Sequence, residues 1–140
     1  MEHGNSEALK PATSYTRLRD DGSAYLEGCK CRACGARFVG ARDNCARCGA
    51  RGAMESYPLS ERGCLYNYTI VHRSYPGISV PFISAVVDLD DGTSIKGNLL
   101  GVEPEANALA FGMPVKMVFR GAETANADAL GYVAHFFVPA

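Results

Sequence analysis

Nowhere in this sequence do apolar residues run toward the roughly 18 needed to cross a bilayer. The opening MEHGNSEALK has neither the basic stretch nor the apolar core of a secretory signal. These absences predict a cytoplasmic chain with no membrane partner. In that compartment thiols stay reduced, so paired cysteines point to metal binding or redox chemistry rather than to structural disulfides. Catalytic material is also scarce. The Gly-x-Ser-x-Gly, phosphate-loop and dinucleotide fingerprints are missing. Of the three histidines, His3 sits in the N-terminal tail, and neither His72 nor His135 has an acid beside it. The free cysteines lack a neighbouring base that would make one a nucleophile. A binding subunit without catalytic residues of its own is the expectation.

What is present supports a folded chain. The net charge is −1 over 140 residues and 47% of the residues are hydrophobic, a balance that suits a globular core. That length holds one ordinary domain, or a small stapled module joined to a domain of about 80 residues.

The module is written in CKCRACGARFVGARDNCARCGA, residues 29–50, which holds five of the six cysteines. Cys31-Arg-Ala-Cys34-Gly35 and, ten residues on, Cys45-Ala-Arg-Cys48-Gly49 are two copies of one knuckle. In each, the backbone must curl so that amides point at a metal-bound sulfur, and the trailing glycine relieves the strain of a left-handed turn. Two knuckles make one tetrahedral site of four thiolates. A thioredoxin-like redox pair does not fit, because no βαβ pattern surrounds the motif and a redox motif needs no twin. Zinc and iron both suit four thiolates. Zinc, one per chain, is the more economical, since a structural zinc ribbon replaces the core that some thirty residues cannot build. An iron site would make a rubredoxin-like electron carrier and leave most of the chain without a task. Cys29 stands too close to Cys31 for a knuckle and is read as a flanking strand residue; Cys64, in an apolar strand, is read as a small core residue.

Around the knuckles, Lys30, Arg32, Arg37, Arg42, Arg47 and Arg51 face only Asp43. Zinc with four thiolates carries a formal −2, which offsets part of this excess and leaves about +3 for an anionic partner: nucleic acid, the phosphates of a nucleotide-bearing cofactor, or an acidic protein face.

Downstream the pattern turns to β. CLYNYTIVH (64–72), PFISAVVDL (81–89), TSIKGNLLGV (93–102), PVKMVFRG (114–121) and LGYVAHFFV (130–138) are rich in β-branched and aromatic residues and bounded by turn signals. Asp90-Asp91-Gly92 marks a hairpin, and Tyr75-Pro76-Gly77 opens a longer loop. EPEANALAFGMP has room for a short helical turn but not for a crossover helix. Five antiparallel strands interrupted after the third predict a small OB-type barrel, with a plain meander as the alternative. The fold class is therefore mainly β, a zinc ribbon followed by a five-stranded barrel. The predicted organisation is an arm over 1–12, a short helix or strand plus ribbon over 13–60, and the barrel over 61–140.

From about residue 13 to the end, "CKCRACGARF…CARCGA" followed by "SERGCLYNYTIVHRSYPG", "PFISAVVDLDDG" and "NLLGVEPEANALAFGMPVKMVF" resembles the zinc-ribbon and OB-fold proteins that accompany acyl-CoA enzymes. The resemblance implies a rubredoxin-like ribbon preceded by a short helix, then an OB-fold. It implies an accessory subunit of a thiolase-type acyltransferase complex, whose partner is a thiolase or hydroxymethylglutaryl-CoA synthase-type enzyme, or alternatively an aldolase or an enoyl-CoA hydratase-like chain. Cys31, Cys34, Cys45 and Cys48 match the family's metal ligands, Tyr66 to His72 its first barrel strand, and Gly112 to Phe119 its fourth. Cys64 stands where a threonine is common, Cys29 is an additional thiol, and the first dozen residues have no counterpart.

Coenzyme A ends in a phosphorylated adenosine diphosphate, so a basic ribbon face at the partner's active-site mouth would suit a coenzyme A thioester held between the two proteins. Arg37, Arg42, His72, Arg73 and Tyr75, cationic or aromatic residues without a metal or core task, are the candidate contacts. The rival is a single-stranded nucleic-acid module, since ribbon plus OB-fold also describes such proteins. Against it, residues 61–140 hold five bases and eight acids, the wrong balance for a backbone-tracking groove.

Overall fold

The computed structural model describes residues 10–121 and 132–140, so residues 1–9 of the predicted arm and the first two residues of the fifth predicted barrel strand lie outside the described residues. Among the described residues ten strands follow one another: β1 (Lys10–Pro11), β2 (Thr16–Leu18), β3 (Ala24–Cys31), β4 (Arg37–Val39), β5 (Met54–Pro58), β6 (Arg62–Val71), β7 (Phe82–Leu89), β8 (Ser94–Leu99), β9 (Pro114–Arg120) and β10 (Tyr132–Pro139). A single 3-10 turn, Ala106–Ala108, occupies the segment expected to hold a helical turn. Among the described residues no helix is long and apolar enough to cross a membrane.

Strands β6 to β10 close into a barrel. β6, β7 and β8 form an antiparallel meander, β10 joins β8, and β9 pairs with both β10 and β6. This is the five-stranded closed OB-fold. One pairing departs from the antiparallel expectation: β10 lies parallel to β8, with Phe137 opposite Leu99. The long connection from β8 to β9 returns the chain to the other edge, so the last strand enters beside β8 in the same direction. β7 alternates as a half-buried strand should, with Ile83, Ala85, Val87 and Leu89 turned inward. Phe137 fills the barrel next to Gly97, where a Cβ would lie 2.8 Å from its ring.

The second sheet is built on β3, which pairs with β2, β4 and β5, all antiparallel. A strand rather than a helix precedes the ribbon among the described residues; Thr13 and Thr16 close a turn there through their hydroxyls at 2.6 Å. The arm is likewise paired where it is described, since Lys10 and Pro11 run parallel to Tyr132 and Val133 of β10.

The two sheets share one core. Leu26 of β3 and Leu59, just after β5, belong to the same buried cluster as Leu65, Ile83, Val87, Val115 and Phe137 of the barrel. Asp91, at the tip of the β7–β8 hairpin, fastens this junction. Its Oδ1 accepts from the amide of Thr93 at 2.9 Å and its hydroxyl at 2.6 Å, and its Oδ2 from the Ser60 amide at 2.9 Å and the Tyr57 hydroxyl at 3.1 Å. Burial works against the Asp91 charge, but these donors prevail and hold its carboxyl below the ordinary 3.8.

A carboxyl acidified by folding stabilises the native state fully above its unfolded pKa, and that stabilisation is lost as pH falls through the lower folded value. The clamp should therefore weaken only below about pH 4. Asp91→Ala should cost roughly 2–3 kcal/mol at neutral pH, because four donors lose a charged acceptor. Denaturant melts from pH 7 to pH 3 check both statements: the wild-type advantage over the variant should shrink toward acid.

Candidate metal centre and junction cleft

Each knuckle is a tight turn closed by its own backbone. Gly35 N–H donates to Cys31 O at 2.9 Å and Cys31 N–H to Ala36 O at 2.8 Å; Gly49 to Cys45 O and Cys45 to Ala50 O repeat the pattern, both at 2.9 Å. Gly35 and Gly49 sit at φ of 82° and 80°, the left-handed region that closing the turn requires. The knuckles then face each other, and the four sulfurs of Cys31, Cys34, Cys45 and Cys48 all lie within 4.8 Å of one another. Cys31 and Cys48 sulfurs are 3.7 Å apart, and those of Cys34 and Cys45 3.6 Å. A tetrahedron with metal–sulfur bonds of about 2.3 Å has edges of about 3.8 Å, so the residues present fit such an ion.

The surroundings also favour thiolate. The amides of Cys48 and Arg47 point at the Cys45 sulfur at 3.4 and 3.3 Å, and with the Cys48 amide as the main cause the Cys45 thiol falls to about 6. The Cys34 amide lowers Cys31 likewise. Cys48 goes the other way: the Ala50 amide favours its thiolate, yet desolvation and the crowd of neighbouring sulfurs push it up to about 11. Four thiols this close cannot all ionise unless a cation takes up the charge.

Cys29 is buried in β3 outside the four-sulfur group, and burial raises its thiol. Cys64 is half-buried in β6 rather than deep in the core. His135 stands in the barrel wall, its Nε2 donating to Lys96 O at 2.7 Å and its ring set edge-on to Phe137. Burial keeps its pKa below the ordinary 6.5, so at neutral pH it is an uncharged strand residue.

The arginines divide by position. Arg32 is spent within the ribbon, donating to Gly52 O at 3.1 Å and facing Glu55 at 3.9 Å. Arg37 lies over the Tyr57 ring at 5.0 Å and Arg42 over the Phe38 ring at 4.5 Å. Both line an open cleft of about 310 Å³ between β4 and the β7–β8 turn, with Gly92, Thr93 and Ser94 on its other wall. His72, Arg73 and Tyr75 are not there. They are exposed in the loop after β6, at the Val71–Phe82 end of the β6–β7 ladder, whereas the cleft adjoins the Gly63–Leu89 end. Roughly 26 Å of strand separates the two groups, so the five candidate contacts form two surfaces. Sequence reasoning also passed over two exposed aromatic residues. Tyr66, displaced outward at a bulge, is 63% exposed, and Phe111, 70% exposed, covers Tyr68 with ring centroids 5.6 Å apart. Strand periodicity gives no warning of Tyr66, because the bulge shifts the register by one residue.

Comparison with known proteins bears on this arrangement. A family model described as the C-terminal OB-fold domain of ChsH2 matches residues 56–120. DUF35 domain-containing scaffold proteins of Methanocaldococcus jannaschii and Pyrococcus furiosus are similar, the first 28% identical over 81% of this chain and 81% of its own, the second 32% identical over 70% and 71%. The benzoylsuccinyl-CoA thiolase subunit BbsA of Geobacter metallireducens is 31% identical over 59% of this chain and 56% of its own. Among solved structures, one titled Ltp2-ChsH2(DUF35) aldolase superposes with a TM-score of 0.64 at 24% identity, covering 82% of this chain and 84% of that one, which bears on the fold.

The cluster predicts one tetrahedral thiolate metal per chain. Reconstitution with cobalt should give the intense visible bands of four-sulfur coordination. Cys34→Ser should lose the ion and unfold the ribbon, because three remaining ligands no longer close the site. Cys29→Ser should bind with unchanged stoichiometry, and loss of metal there would place Cys29 in the ligand set.

Proposed function

Because the chain belongs to the DUF35-domain family of scaffold proteins, we propose that it is a non-catalytic zinc-binding accessory subunit of a thiolase-type acyl-CoA acyltransferase complex, supporting assembly and acyl-CoA binding by its catalytic partner. The observation that carries this reading is the similarity to a thiolase subunit in a chain whose thiol-rich centre is closed. Four cysteine ligands leave no open position on a metal, which suits a structural ion and not a Lewis acid. Among the described residues, the remaining groups do not assemble a nucleophile with its base: His135 is tied to a backbone carbonyl inside the barrel wall, and Cys29 is buried beside the ribbon. Cys31, Cys34, Cys45 and Cys48 would hold the zinc, whose role is to fix the ribbon. The exposed surfaces at Arg37 and Arg42, at His72 to Tyr75, and at Tyr66 and Phe111 are then available for the partner and for coenzyme A at its interface.

Metal analysis of the purified chain should find one zinc in a colourless preparation, and a red, iron-loaded protein would favour the electron carrier. Alone, the chain should not turn over acyl-CoA thioesters. Co-expressed with the products of neighbouring genes, it should retain a thiolase-sized chain in fixed ratio, and activity should appear with that pair. Thiolysis by the rigorously purified single chain, or tight binding of single-stranded nucleic acid at physiological salt, would overturn the reading.

A further inference from the structure

We propose that the cleft between the ribbon and the barrel hairpin is a docking point for an acidic side chain of the partner protein, with Arg37 and Arg42 as its carboxylate-binding pair. The inference rests on the reading that the chain has a protein partner. Its basis is the state of the two guanidiniums. Among the described residues neither has a carboxylate within ion-pair distance, in contrast to Arg17, which holds Glu27 at 2.6 Å. Both lie against aromatic rings at the cleft, Arg37 on Tyr57 and Arg42 on Phe38, which restrains the side chains. Arg37 comes from β4 and Arg42 from the loop that follows it, so both are set on the ribbon side of a cleft whose other side is the barrel hairpin. An inserted side chain would touch both units at once.

The charge and the hydrogen-bond inventory favour a carboxylate over a phosphate. Arg37 and Arg42 are the two charged residues that line the cleft, and both are cationic. Backbone amides, which phosphate sites usually supply, are already committed: Gly92 N–H to Leu89 O at 3.0 Å and Thr93 N–H to Asp91 at 2.9 Å. Both Asp91 oxygens are saturated by Tyr57, Ser60 and Thr93, so that carboxylate does not compete for the arginines. What the cleft offers is two planar cationic forks, the geometry that binds a carboxylate in bidentate fashion. The partner is therefore a protein presenting an aspartate- or glutamate-bearing segment.

The test uses the full, metal-loaded chain and a hexaglutamate peptide as probe, followed by NMR at the Arg37 and Arg42 side-chain Nε–H groups and at the amides of Gly92, Thr93 and Ser94. The expected result is saturable shifts confined to these groups, with affinity reduced roughly tenfold or more in Arg37→Gln and in Arg42→Gln and unchanged in Arg47→Gln, an exposed arginine outside the cleft. Inorganic phosphate in a parallel titration should leave the cleft signals in place. Shifts spread equally over all the ribbon arginines, insensitivity to the cleft variants, or a response to phosphate but not to the peptide would each overturn the proposal. A thiolase-sized chain that still co-purifies with the Arg37→Gln, Arg42→Gln double variant as tightly as with wild type would overturn it too, while leaving the accessory-subunit reading intact.

Discussion

Between Arg32 and Ala53 the one buried residue is Cys45. Twenty-odd residues with no apolar interior cannot hold a fixed shape by burial, and their strands are too short to do so by pairing. The convergence of four sulfurs is the constraint that organises this lobe. It brings two loops of identical backbone geometry face to face, and through Cys31, at the end of β3, it anchors them to the sheet. The sulfur cluster thus acts for the lobe as a hydrophobic core acts for the barrel. The arginines on β4 and the loop after it have further supports, the pairing of β4 with β3 and the rings of Tyr57 and Phe38.

The junction between the units depends on a second, quite different device. Apolar contact through Leu26 and Leu59 supplies adhesion but little orientation, because dispersion contacts are not directional. Asp91 supplies the orientation. A single carboxylate reaches the end of β5, the linker before β6 and its own hairpin, and its four donors come from three fixed positions on the chain. The cleft lined by Arg37 and Arg42 lies next to this clamp, since Gly92 and Thr93 of the hairpin form its other wall.

Much of this was legible in the residues. The two knuckles are a local pattern whose chemistry is set by spacing, and the five barrel strands announce themselves by side-chain alternation, so β6, β7, β9 and β10 fall within a residue or two of their predicted bounds over the described residues, while β8 ends three residues early, at Leu99. What was not legible depends on distant parts of the chain meeting. The parallel contact of β10 with β8 arises from barrel closure, which no local pattern encodes. The strand Ala24–Cys31 was obscured because Gly28 interrupts its alternation. Asp91 reads as an ordinary turn residue until Tyr57 and Ser60 are placed beside it. The spacing of Arg37 and Arg42 from the His72–Tyr75 loop likewise follows from the length of β6, which residue type alone does not reveal.

Leu26 and Leu59 reach from the ribbon sheet into the barrel's buried cluster. Cutting the chain before Glu61 would leave an apolar opening on one piece and two unsheltered leucines on the other, each a site for self-association. The boundary that looks convenient in the sequence is therefore a poor place for a gene to break. Recombination can carry ribbon and barrel into a new protein as a single cassette, whereas exchange of either half alone would have to rebuild the shared interior first.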